Sequence, residues 1–221
     1  MFALVWVVAA SVLGFAIAAL FAGVLGWRRN LYLVVYVPVA ITMLALFTVS
    51  AEIDLAHVFL HHWGWGVCGA VASGAFVVGN VLSQAATPRR EGASLVLDVV
   101  WPGLTYGVVD ALLLSVMPIL AVRETWSGAD WATSTLGQFG VGAIALLASC
   151  LVAAAYHWGY PEFRGKRVLL PVFGNAVMSL AYLLTGNPLA AVLSHAALHV
   201  AAIVHGRETT IQLPPHYGID G

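Results

Sequence analysis

From Phe2 to Gly26 the chain carries no charged residue, and stretches of the same kind recur along its whole length. A run of ~20 such residues crosses the roughly 30 Å hydrocarbon core of a bilayer as a helix. Inside that core every backbone N–H and C=O needs a partner within the protein, and the helix supplies one for each. The expected fold is therefore all-α, a polytopic bundle of transmembrane helices. Composition agrees: 61% of the 221 residues are hydrophobic and 9% are charged, where a soluble domain has about 25% charged residues. Mean hydropathy is +0.93. The lipid bilayer is the implied partner, and a net charge of −1 argues against nucleic acid. Cys68 and Cys150 lie in apolar runs and read as packing residues.

Seven spans follow in order. Phe2–Gly26 has no basic residue before it and Trp27-Arg28-Arg29-Asn30 after it, the reverse of a cleaved signal peptide. It reads as a retained first helix with its N-terminus outside. Leu31–Ala51 is the second span, with Pro38 inside it, and the Gly- and Ala-rich run 66–84 is the third. Ser94–Val122 is too long for an upright span, so it tilts or breaks near Pro102-Gly103. Arg123 to Thr133 reads as a polar loop. Leu136–Ala155, Val168–Thr185 and Pro188–Val204 complete the set, with Asn175 and Ser179 as candidates for bonding between helices. This topology puts Arg28, Arg29, Arg89, Arg90, Arg164, Lys166, Arg167 and Arg207 inside and only Arg123 outside, as the positive-inside rule requires. Residues 1–206 form one transmembrane domain, followed by a polar tail over 207–221 with the C-terminus inside. A retinal protein is excluded, because the only lysine, Lys166, lies in a loop.

Polar residues inside the spans mark candidate sites, since ionisable groups there are costly. His195 and His199 are four apart, so they share one face of the last span. They either belong to a site or hydrogen-bond to a neighbouring helix. Asp110 is flanked by apolar turns in the fourth span; an aspartate at a helix centre costs about 2.5–3.5 kcal/mol on the insertion scale. Asp98 lies in the same run. Between spans two and three, Glu52, Asp54, His57, His61 and His62 stand among aromatic residues. His57 and His61 suit a transition metal, or the segment is simply a wet membrane interface. That cluster falls on the outer side and His157 on the inner, so the two do not share a site.

Three stretches resemble motifs of the CAAX-protease and bacteriocin-processing (CPBP) family of intramembrane proteases. The turn and helix Leu183 to His195, containing Gly186-Asn187-Pro188, is similar to the family's approach to its third motif, His-x-x-x-Asn/Asp. Ala153 to Gly159 stands where Phe-x-x-x-His would be and offers His157. Val108 to Leu114 stands where Glu-Glu-x-x-x-Arg would be and offers Asp110 for the second glutamate. Val109, Leu114, Ala153 and His199 replace the first glutamate, the arginine, the phenylalanine and the Asn/Asp. The resemblance covers about residues 95–205. It implies a multi-pass protein of the bacterial inner (plasma) membrane acting on a membrane peptide substrate, with Asp110, His157, His195 and His199 as catalytic residues that activate a water.

Two other readings stay open. His157, His195 and His199 could hold a divalent transition metal, either for hydrolysis or in a metal- or haem-binding subunit. Haem would need a further ligand, since two histidines four apart on one helix cannot hold both its faces. Alternatively, the chain is a non-catalytic scaffold among other membrane subunits.

Overall fold

The computed structural model describes residues 2–206 and Pro214, and they are helical with no strand among them. The expected polar tail, Pro214 apart, lies outside the described residues. Helix α1 covers Phe2–Ile17 and widens into a π turn over Ala18–Val24, and α2 is Arg29–Ser50 with Pro38 inside it. A short α3, Leu55–Leu60, precedes α4, Trp63–Leu82. Helix α5 runs Gly92–Trp126, followed by α6, Thr135–Trp158, α7, Leu169–Thr185, and α8, Leu189–His205. Six helices are long and apolar enough to cross a membrane, and α8 is a shorter apolar helix of 17 residues.

The exterior shows why these helices form. Leu136, Phe139, Leu184, Val24 and Val49 are largely exposed. An apolar surface of this extent suits hydrocarbon rather than water.

Helix α5 organises the rest. Its apolar window is 83% buried, against 28–33% for the other spanning helices, and α1, α2, α6, α7 and α8 pack around it. Its 35 residues would extend about 52 Å as an α-helix, well beyond the hydrocarbon core. It does not break at Pro102-Gly103. Instead it continues through two π turns, Val99–Thr105 and Leu112–Val116. Proline has no N–H to offer, and the wider turn absorbs the missing bond without ending the helix. The helix also runs past Val122 to Trp126, so Arg123 stands on a helix and not in a loop.

Small residues set the close approaches. On α5, Gly103 and Gly107 face α8, where a Cβ on Gly107 would lie 2.9 Å from the Ala196 Cα. On α4, a Cβ on Gly69 would lie 3.0 Å from the Ala190 Cβ. Both are the close helix contacts that glycine permits in membranes.

Four buried polar side chains join α5, α6 and α7. Ser149 Oγ donates to the Leu114 carbonyl (2.8 Å), a group within the second π turn. Asn175 Nδ2 donates to Ser149 Oγ (2.8 Å), and Ser115 Oγ donates to Asn175 Oδ1 (2.9 Å). Ser179 Oγ donates to Ser115 Oγ at 3.0 Å and lies 2.7 Å from Ser149 Oγ. Asn175 and Ser179 thus do the bonding expected of them.

The two ends differ. At one end Arg89 donates to the Val204 carbonyl (3.1 Å) and His205 Nε2 to that of Gln84 (2.8 Å). At the other, Gly186 turns the chain with φ +68°. There Asn187 Oδ1 accepts from the Leu189 N–H (2.9 Å), capping α8, while its Nδ2 donates to the carbonyls of Phe59 (2.9 Å) and His61 (2.7 Å).

Candidate functional site

Asp110 lies between the two π turns of α5, and His195 and His199 face it from α8. All three are buried, and one potential ligand atom from each lies within 4.8 Å of the others. The glycine contact beside them explains the approach. Gly107 lies against Ala196, and Asp110 and His195 are the neighbouring polar positions on the two helices. A cavity of about 130 Å³ opens here, lined by Asp110, His157, His195 and His199. The residues expected from three separate stretches therefore meet in one place.

The histidines differ in how they are held. His157 Nδ1 lies 2.8 Å from the Ala153 carbonyl. A carbonyl only accepts, so Nδ1 carries the proton and Nε2 is left as the acceptor or ligand in the neutral ring. His195 Nδ1 and His199 Nδ1 are buried without a hydrogen-bond partner, although the Pro102 carbonyl lies near the His199 ring. An unpaired buried polar atom costs about 1–3 kcal/mol. Two such atoms lie at this one cavity.

Five buried tyrosines back the site, and the sequence reading missed them. Tyr36 donates to Asp110 Oδ1 at 2.5 Å and fixes the carboxylate. Tyr156 is a hub: Tyr32 and Tyr160 donate to its hydroxyl at 3.2 and 2.7 Å, and Tyr106 lies 2.7 Å away. The Tyr106 ring meets His199 edge-on, with centroids 4.8 Å apart. Tyr106 also donates to the Pro214 carbonyl at 3.4 Å, so this tail residue reaches the site. A signal existed in the i, i+4 pairs Tyr32/Tyr36 and Tyr156/Tyr160, each of which places two hydroxyls on one helix face.

The ligand atoms at up to 4.8 Å are more open than a bound ion requires. Bonds of 2.0–2.1 Å in a tetrahedron put donor atoms roughly 3.4 Å apart. Holding an ion would require shifts of about 1 Å that bring these atoms together.

The other candidates lie elsewhere. His57 and His61 are exposed at the opposite end of α8, their rings stacked with centroids 4.9 Å apart. The His62 ring centroid lies 3.8 Å from that of His61. Its charge, then desolvation and His57, hold the His61 imidazole below its usual range. Along α8, His195 and His199 are about 9 and 15 Å beyond Leu189, beside which this cluster is tied. The two groups do not form one site. Asp98, near the start of α5, lies 3.6 Å from Arg90. Cys68 is exposed and Cys150 half-buried, both as free thiols, so Cys68 does not pack in the core.

Comparison of the chain with protein-family models, curated proteins and solved structures gives no match.

Proposed function

We propose that this chain is an intramembrane hydrolase of the CPBP type, cleaving a peptide bond with water held among Asp110, His157, His195 and His199. One observation carries the reading. The residues offered by three motif-like stretches, on α5, α6 and α8, line a single cavity. Polar residues that join helices pair off with one another, as Ser115, Ser149, Ser179 and Asn175 do, the last also bordering the cavity. At the cavity, His195 and His199 each keep one nitrogen without a protein partner.

The chemistry follows from the donors and acceptors present. The Asp110 carboxylate, fixed by Tyr36, takes a proton from water while the water oxygen bonds to the peptide carbonyl carbon. An imidazole N–H from His195 or His199 donates to the developing oxyanion. The C–N bond then breaks as the amine takes the proton from Asp110, giving an acid and an amine. The charge pattern supports seven spans with the N-terminus outside. Arg89, held at the C-terminal end of α8, belongs to the side rich in basic residues, which is the inner side by the positive-inside rule. Membrane peptides are then cut near the middle of a bacterial-type plasma membrane, since His195 and His199 stand about 9 and 15 Å along the 17-residue α8.

The two unpaired imidazole nitrogens beside a carboxylate favour a second reading, a divalent transition ion held by Asp110, His195 and His199. Two histidines and one carboxylate suit zinc or iron(II). Such an ion would supply an activated water, and Tyr36 would orient its carboxylate ligand.

The test compares peptide termini in membranes of cells producing the wild-type chain, Asp110→Asn or His195→Ala, at matched levels of folded protein. A shared set of termini present only with the wild type is expected. Termini unchanged in both variants would sink the hydrolase reading. Elemental analysis of the same preparations decides the metal: about one ion per wild-type chain, lost in His195→Ala, supports it, and none in the wild type removes it.

A further inference from the structure

A second cavity lies where α5 ends and α6 and α7 pass it, and it shares no lining residue with the site above. It is a groove of about 740 Å³, within the ~300–1,000 Å³ typical of ligand sites. Its lining divides by chemistry. Arg123, Ser127, Thr133, Thr135 and Gln138 come from the connection between α5 and α6 and the residues flanking it. Phe139, Leu146, Leu180 and Leu184 come from α6 and α7, with Phe139 and Leu184 74% and 78% exposed to the surroundings of the bundle.

Arg123 makes no ion pair among the described residues. Its guanidinium carbon lies 5.6 Å from the centre of the Tyr182 ring. It also hydrogen-bonds the Tyr182 hydroxyl, and a guanidinium has five N–H donors and no acceptor, so this one residue leaves most of them unused. Near hydrocarbon an arginine without an anion is costly. Beside it Trp126 and Trp131 meet with centroids 6.1 Å apart. Tryptophans of this kind sit at headgroup level, which puts Arg123 at the depth of lipid phosphates.

We propose that this groove binds one phospholipid. Its phosphodiester accepts paired hydrogen bonds from Arg123, and an acyl chain lies along Phe139, Leu146, Leu180 and Leu184. A peptide would turn unbonded backbone groups toward hydrocarbon in the apolar half, and free phosphate would leave that half uncovered. A phospholipid satisfies both halves at once. This site is independent of the hydrolase reading.

The test is native mass spectrometry of the full chain in detergent with phosphatidylglycerol. One adduct per chain is expected. Arg123→Ala should weaken it about tenfold or more, the scale of a lost charge-assisted hydrogen bond, while Arg123→Lys keeps part of the affinity. Leu180→Trp fills the apolar half, leaves Arg123 in place and should weaken binding as well. Diacylglycerol with the same chains should bind at least about tenfold less well than phosphatidylglycerol, because it lacks the phosphate. Equal binding by folded Arg123→Ala, equal binding by diacylglycerol, or full displacement by inorganic phosphate alone each overturns the proposal.

Discussion

Gly107→Ala tests whether the α5–α8 approach sets the candidate site. The added Cβ would lie 2.9 Å from the Ala196 Cα, 3.2 Å from the His195 carbonyl oxygen and 3.3 Å from the Ala196 nitrogen. All three are backbone atoms, so no rotamer change makes room. Carbon pairs prefer about 3.5–4.0 Å, so the helices must part by roughly 0.6 Å or more. Overpacking of this kind costs ~1–3 kcal/mol, and the better helix propensity of alanine returns up to about 1 kcal/mol. The expected net loss of stability is on the order of 1 kcal/mol. Asp110 lies three residues from Gly107, and His195 is next to Ala196, so the same movement widens the site. A 1 Å misplacement of reacting groups costs about 100-fold in rate, and 0.6 Å should cost about tenfold or more. Function therefore falls further than stability. Stability is read by unfolding in mixed micelles through tryptophan fluorescence, and function by the membrane-peptide termini. Gly79→Ala is the control, since a Cβ there meets nothing within 4 Å. If Gly107→Ala matched Gly79→Ala in both measurements, the helix approach would not be what positions the site.

Three further outcomes follow from the same geometry. Ser149→Ala removes bonds to Leu114, Asn175 and Ser179. At ~0.6 kcal/mol per side-chain bond in a bilayer it should cost about 2 kcal/mol in the same unfolding assay, and a loss below about 0.5 kcal/mol would show that the remaining partners re-pair. Asn187→Ala frees the segment that ends in His61 and uncaps α8. Faster amide exchange over residues 55–62 and a loss of about 1 kcal/mol are expected, and unchanged exchange would mean that the segment is held by other contacts. His62→Ala removes the main cause of the depressed His61 titration, so the His61 midpoint should rise toward 6.5 by NMR. No upward movement would show that His62 is not the cause.

The spans, the turn at Gly186 and the meeting of Asp110 with the histidines of α6 and α8 were legible because each leaves a local mark. Hydropathy reports burial in lipid, a glycine marks φ +68°, and a charged residue in an apolar run needs a reason. The burial of the tyrosines was not legible. In a membrane chain a tyrosine also suits the interface, and only the packing shows that Tyr32, Tyr36, Tyr106, Tyr156 and Tyr160 are all fully buried. Gly103 and Gly107 do carry a sequence signal, the four-residue spacing of small residues, but their partner helix cannot be read from the chain. Pro102 misled for a physical reason. It removes a donor, which usually kinks a helix, yet here a π turn absorbs the loss and α5 carries on to Trp126.

The π turns tie these features together. Each inserts one residue relative to the α-helical register, which rotates everything beyond it by about 100°. Asp110 follows the turn over Val99–Thr105, so its face is set relative to residues 92–98, where Asp98 lies near Arg90. Without that insertion the face bearing Gly103, Gly107 and Asp110 would not meet α8 while Asp98 kept its place near Arg90. The second turn, Leu112–Val116, contains the Leu114 carbonyl, and Ser149 of α6 takes it up. One irregularity thus turns Asp110 toward α8, and the other ties α5 to α6, the helix that supplies His157. The polar network that joins α5, α6 and α7 and the buried site are consequences of the same two departures from α geometry, which is why the site lies in the middle of the longest helix and not at a loop.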